Sequence, residues 1–148
     1  MLVTLALLAI VDIVVGVSND AINFLNSAIG SKVLSFRTIM IVSSIGIFIG
    51  AVYSSGMMEV ARKGIFNPGE FYFDEIMMIF LAVIITDILL LDFFNTLGLP
   101  TSTTVSIVFN LLAAAIVMSL IKIAENNESV LDLANYINTE KATMIIVG

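Results

Sequence analysis

Cysteine and histidine are both missing from these 148 residues. Without cysteine there are no disulfides and no thiolate metal sites. Without histidine, imidazole catalysis and the usual zinc sites are excluded. Charge is scarce too: 12% of the residues are charged, and the six basic ones are spread along the chain. No patch could track phosphodiesters, so nucleic acid is not an expected partner. The formal charge of -6 is a poor guide to partners, because several acids lie inside apolar runs and others crowd the connecting loops. No catalytic residue and no organic cofactor is expected.

What is present is apolar. A hydrophobic fraction of 59% and a mean hydropathy of +1.11 place the chain among polytopic integral membrane proteins. The run from Leu2 to Val15 has no basic stretch before it, carries Asp12 and leads into a polar block, so it is not read as a signal peptide. Helices are expected at about 2–15, 19–30, 37–58, 75–97, 102–124 and from 139 onward. The fold class is all-α, since runs this long and apolar lack the alternation of an outer-membrane barrel. The first two segments are each too short to cross about 30 Å of hydrocarbon. Gly16 and Ser18 at their junction suit an unwound hinge, which predicts one discontinuous spanning helix. The connection Gly98-Leu99-Pro100 is so short that the helices on either side must form an antiparallel hairpin, either crossing or re-entrant.

Residues 1–124 therefore form the membrane body, with Glu59, Arg62 and Lys63 as a solvated end of the helix from Thr38. Residues 125–140 are polar with interleaved leucines, Ala134 and Tyr136, as in an interfacial loop. Apolar character resumes at Ala142 and stops at Gly148, so 141–148 reads as the start of a further helix in a piece of a longer protein. Positive-inside counting sets Lys32 and Arg37 against Arg62 and Lys63 and leaves orientation open.

The polar block from Gly16 to Ser31 carries an acid and three amides at membrane depth. A carboxylate there costs about 2.5 to 3.5 kcal/mol on insertion scales, so it should face protein, water or a ligand. On a helix, Asn19, Asn23, Asn26, Ser27 and Gly30 share one face, with Asp20 at its edge. The oxygens of Asn19, Asp20 and Asn23 suit a hard cation such as sodium, whereas amide N–H groups at a helix start suit an anion. Interhelical glue is the plainer reading, but glue does not require an acid beside three amides. Ser102, Thr103 and Thr104 follow Pro100 in a first helical turn, where hydroxyls and unpaired N–H groups make either an oxyanion cradle or an ordinary N-cap. Asp87 and Asp92 fall about 140° apart on a helix and do not form a tight pair. Asp87 is a candidate for ion or proton movement, Asp92 reads as an interfacial residue, and Asp12 has no assigned role. A structural membrane subunit and an intramembrane aspartyl protease are remoter classes, the latter without a G-x-G-D stretch.

The stretch Asn19-Asp20-Ala21-Ile22-Asn23, continuing to Ile29-Gly30-Ser31, resembles the N-D-x-x-N…V-G-S signature of the inorganic phosphate transporter (PiT) family. Gly50-Ala51-Val52, Glu59 to Ile65, and Gly98-Leu99-Pro100-Thr101-Ser102-Thr103-Thr104 resemble, in order, that family's G-[AS]-V, E-T-I-R-K-G-I and G-x-P-x-S-T-T stretches. The resemblance implies a symporter of inorganic phosphate with sodium or protons, built from two inverted halves of which this chain is the N-terminal one. It implies phosphate contacts from Asp20, Asn23, Ser102, Thr103 and Thr104, and a sodium site at Asn19, Asp20 and Asn23. Expected partners are phosphate, the coupling ion, the lipid of a cell (inner) membrane, the C-terminal half and further copies of the protein. The chain departs from the pattern at Ile47, where many members have glutamate, at Val105 in place of histidine, and at Asn26-Ser27 in place of Gly-Thr. The coupling ion, and phosphate against sulfate or another oxyanion, stay open.

Overall fold

The computed structural model describes residues 1–54 and 64–147, and of Ile22 only the backbone. The expected helix end at Glu59, Arg62 and Lys63, and the continuation of the second helix to Met58, lie outside the described residues. The described chain is helical: α1 (Leu2–Ser31), α2 (Phe36–Tyr53), α3 (Phe73–Leu97), α4 (Thr103–Asn126), the single turn α5 (Leu133–Tyr136) and α6 (Thr139–Val147). Among these residues no strand forms, only an isolated bridge between Phe66 and Ile137. Leu2–Ala21, α2, α3 and α4 are each long and apolar enough to cross a bilayer. Leu7, Ile13, Val14, Phe48 and Val52 stand exposed along α1 and α2. An apolar surface of this extent is unsuited to water and suited to lipid or a partner in lipid.

The expected break in the first helix is not there. α1 runs unbroken through Gly16 and Ser18 for 30 residues, roughly 45 Å. Ser18 Oγ donates back to Val14 O at 2.7 Å, so its hydroxyl is satisfied inside the helix. Keeping Gly16 helical costs about 1 kcal/mol. Unwinding would expose backbone groups whose lack of partners in lipid costs several kcal/mol each, so the continuous helix wins. Gly16 faces the hairpin with room to spare: a Cβ there would lie at ordinary contact distance, 3.8 Å from Thr103 Cγ2 and 3.9 Å from Leu91 Cδ1.

The antiparallel hairpin is formed by α3 and α4. Gly98 ends α3 in the left-handed region at φ 67°, its N–H bonding Asn95 O at 3.1 Å while Leu99 N–H bonds Phe94 O at 3.0 Å. This pairing closes the last carbonyls of α3, and Pro100 just beyond prevents the helix from resuming. Ser102 then caps α4, accepting from Val105 N–H at 3.3 Å. At the opposite end of the hairpin, Glu75 accepts from Tyr72 N–H at 2.6 Å and from Lys122 Nζ at 2.8 Å. Lys122 also donates to Glu70 O and lies over the Tyr72 ring, 4.4 Å from its centroid.

The buried core gathers at that Lys122 end. Ile79, Val83, Leu111, Leu112, Ala115 and Ile123 of the hairpin pack with Ile65, Phe66, Phe71, Tyr136 and Ile137. Asn67 N–H bonds Tyr136 O at 2.8 Å and Asn138 N–H bonds Ile65 O at 3.0 Å, so the polar segment after α4 is tied to the one before α3. Tyr136 donates its hydroxyl to Glu128 at 2.9 Å, and that carboxylate holds the phenol above its ordinary pKa.

Two glycines should respond oppositely to alanine. Gly98→Ala forces a Cβ into the left-handed region and should destabilise the protein by about 1 kcal/mol. Gly16→Ala should be neutral or stabilising by up to about 1 kcal/mol. Thermal unfolding of the full-length protein in detergent measures both. A marked loss with Gly16→Ala would restore the hinge.

Candidate functional site

α1 and α3 run parallel, because their contacts climb in step: Gly16 meets Leu91 and Asn19 meets Asn95. The hairpin turn brings the start of α4 against the same stretch of α1. Here Thr103 Oγ1 lies 3.1 Å and 3.2 Å from the two carboxylate oxygens of Asp20 and donates its single hydrogen to them. Asn23 Nδ2 donates to Thr101 O at 2.9 Å, and more weakly to Asn19 Oδ1 at 3.4 Å. Asn19 is 2% exposed and donates to Asn95 Oδ1 at 2.9 Å, while Asn95 Nδ2 reaches Val15 O at 3.5 Å. The acid and two amides on α1 are thus fastened to the hairpin by the side chains of Thr103 and Asn95 and by the Thr101 carbonyl.

Asp20, Asn23, Phe24, Pro100, Thr101, Ser102, Thr103 and Thr104 line an open cleft of about 380 Å³. Asp20 also borders a second cleft of about 320 Å³ between α1 and α2, lined by Ser43, Gly46 and Ile47 among others. Ile47, standing where the family pattern has glutamate, gives that second cleft an apolar wall. The first cleft is the candidate site. It combines a carboxylate, an amide, hydroxyls and the first turn of α4, whose N–H groups have no intrahelical acceptor and whose dipole end is positive. Such a mixture can hold an anion on the hydroxyl and N–H side, with a cation on the carboxylate side.

The structure brings together most of the residues expected from the sequence. Asp20, Asn23, Ser102, Thr103 and Thr104 all line the one cleft. Ser102 Oγ is engaged as the N-cap of α4, which is the plainer of the two roles expected of it. Asn19 is enclosed behind them, and would ligate only an ion that is itself buried. The polar stripe does not continue as one face of the site: Asn26, Ser27 and Gly30 are exposed and outside the cleft. Asn95 and the Thr101 carbonyl were not expected. An amide in the last turn of an apolar helix was the available signal for Asn95. A backbone carbonyl leaves no mark in sequence. Asp87 and Asp92 are separated as expected, Asp87 being 1% exposed and Asp92 exposed.

The family model for the phosphate transporter family matches residues 16–147, nearly the whole chain. The chain belongs to that family. It is 31% identical over 106 residues to a protein of Mycobacterium bovis provisionally named a phosphate permease, covering 70% of this chain and 19% of that protein. A Mycobacterium tuberculosis protein with the same provisional name matches to the same extent. One from Pyrococcus furiosus, also provisionally named a phosphate permease, is 32% identical over 103 residues, covering 68% of this chain and 25% of its own length. The chain thus spans a fifth to a quarter of the length of these relatives. No solved structure matches it. With four helices able to cross a bilayer and this family membership, the chain is an integral, multi-pass membrane protein.

The Asn19–Asn95 contact should be worth about 1 kcal/mol, the scale of side-chain hydrogen bonds between membrane helices. A double-mutant cycle of Asn19→Ala and Asn95→Ala, followed by thermal unfolding, should return a coupling of that size. Strict additivity would show that the two amides do not bind one another.

Proposed function

We propose that this chain is one half of a secondary carrier of inorganic phosphate, with the cleft between α1 and the start of α4 as its share of the solute site. The observation that carries the reading is the Asp20–Thr103 contact, which holds a carboxylate at the N-terminus of a helix, within segments apolar enough to span a membrane. Phosphate is taken as the solute because the chain belongs to the phosphate transporter family and its relatives carry permease names. The reading is of a transporter rather than an enzyme.

The charges require a co-bound cation. A phosphate dianion beside Asp20 in a site of low dielectric is strongly repelled unless positive charge enters with it. Sodium held by oxygens of Asn19, Asp20 and Asn23, or a proton on a carboxyl, would supply that charge and make coupling obligatory. Ser102, Thr103 and Thr104 then offer hydroxyls to the anion, while the open side of the cleft is where the C-terminal half would close the site. Alternating access would move the two halves about this fixed point.

The test is uptake of labelled phosphate by the full-length protein in proteoliposomes, under an imposed sodium or proton gradient. Uptake should follow one gradient and be competed by phosphate more strongly than by sulfate. Insensitivity to both gradients would remove the coupled-carrier reading, and stronger competition by sulfate would reassign the solute. Asp20→Ala should reduce uptake by at least about tenfold, corresponding to about 1.4 kcal/mol or more of lost interaction. Thr103→Ser should retain more uptake than Thr103→Ala, because it keeps the hydroxyl. Unchanged uptake in Asp20→Asn would favour a purely structural role.

A further inference from the structure

A second polar layer crosses the same three helices two turns away from the cleft. Asp12 precedes Asp20 by eight residues in α1 and Asp87 precedes Asn95 by eight in α3, a step of roughly 12 Å along each helix. Asp87 is 1% exposed, and its Oδ1 accepts from Ser106 Oγ and, at 3.2 Å, from Asn110 Nδ2, both on α4. Asn110 Nδ2 also reaches Ser106 Oγ at 3.3 Å. The register that sets Gly16 against Leu91 and Asn19 against Asn95 puts Asp12 of α1 at the level of Asp87 of α3. Asp12 Oδ1 is buried with no hydrogen-bond partner among the described residues.

Among the described residues the surroundings supply no counter-charge. From α4 the pair is faced by the neutral Ser106 and Asn110, and the cation of that helix, Lys122, is engaged by Glu75 at the far end of the hairpin. Along α1 and α3 the nearest ionisable groups are Asp20 and Asp92, both acids. On α2 the residues bordering α1 at the second cleft are Ser43, Gly46 and Ile47, and Arg37 stands in the first turn of that helix. Two carboxylates enclosed at one level between packed helices, with no cation beside them, cannot both stay ionised. A metal ion asks for several oxygen ligands, yet the groups turned toward Asp87 are hydrogen donors, an O–H and an N–H. What the arrangement lacks is one hydrogen between two carboxyl groups.

We propose that Asp12 and Asp87 form a proton site within the membrane, one proton being shared between the two carboxyl groups and separate from the cleft at Asp20. Ser106 and Asn110 satisfy the ionised share of the pair, and the proton satisfies the rest. Loss of that proton leaves two like charges between α1 and α3, so its occupancy bears on how those helices pack. As a proton store for coupled transport the pair rests on the carrier reading; as a protonated pair it does not.

Infrared spectroscopy of the full-length protein in lipid tests this without any transport measurement. At neutral pH the spectrum should contain the carbonyl stretch of a protonated carboxyl, shifted in heavy water and missing from both Asp12→Asn and Asp87→Asn. Absence of the band from the unaltered protein, or its survival in both variants, would overturn the proposal. Loss of the band on adding sodium chloride at constant pH would overturn it in favour of a sodium site. Because a variant could lose its fold, Ser106→Ala provides a second reading that keeps both acids: the band should persist at a changed frequency, and an unaltered frequency would sink the assignment to Asp87. Phosphate uptake that fails while the band behaves as expected would count against the carrier reading alone.

Discussion

Lipid offers no hydrogen bonds, and the arrangement of this molecule follows from that constraint. Each polar side chain in the spanning helices has to find a partner in the protein or enclose something that serves as one. Ser18 resolves the problem locally by bonding its own helix, and α1 stays straight where a hinge was expected. Asn19, Asp20 and Asn23 have no such local solution and are satisfied by the α3–α4 turn. The same pressure that forbids these groups from facing lipid therefore fixes the hairpin against α1.

α1 lies parallel to α3 with the start of α4 beside it, and Gly16 faces Leu91 and Thr103 at a spacing that would also admit a methyl group. The turn contributes as much as the helices do. Gly98 ends α3 so sharply that Thr101, Ser102 and Thr103 arrive at the level of Asp20 and Asn23 rather than beyond it. At the other end, the Lys122–Glu75 pair and the aromatic packing of Phe66, Phe71 and Tyr136 hold the hairpin in register with the segments flanking it. Polar contacts at one end and apolar packing at the other divide the molecule into a site and an anchor.

α2 stands apart from this scheme. Its only buried residue among those described is Ile39, and its contact with α1 leaves a cleft bordered by Asp20 and Ile47. With most of its apolar surface uncovered, α2 borders the site rather than building it. Asp20 consequently has one side fixed by Thr103 and another open toward α2.

The amino-acid sequence by itself determined the class of the protein, its spanning helices, the hairpin and the need to enclose Asp20 with its neighbouring amides. Those conclusions rest on hydropathy, on helical periodicity and on residues such as Gly98 and Pro100 whose effect is local. The family, too, was legible in four short stretches, one of them spanning Asn19 to Asn23. Only the tertiary structure decided that α1 is continuous, that Asn95 is the partner of Asn19, that Thr103 is the partner of Asp20, and that Asp12 and Asp87 fall at one level. The pairs at the cleft join residues 76 and 83 positions apart. Which of them meet depends on the register between helices, which the packing of α1 on α3 and the geometry of one turn establish, and no pattern read along a single helix contains that register.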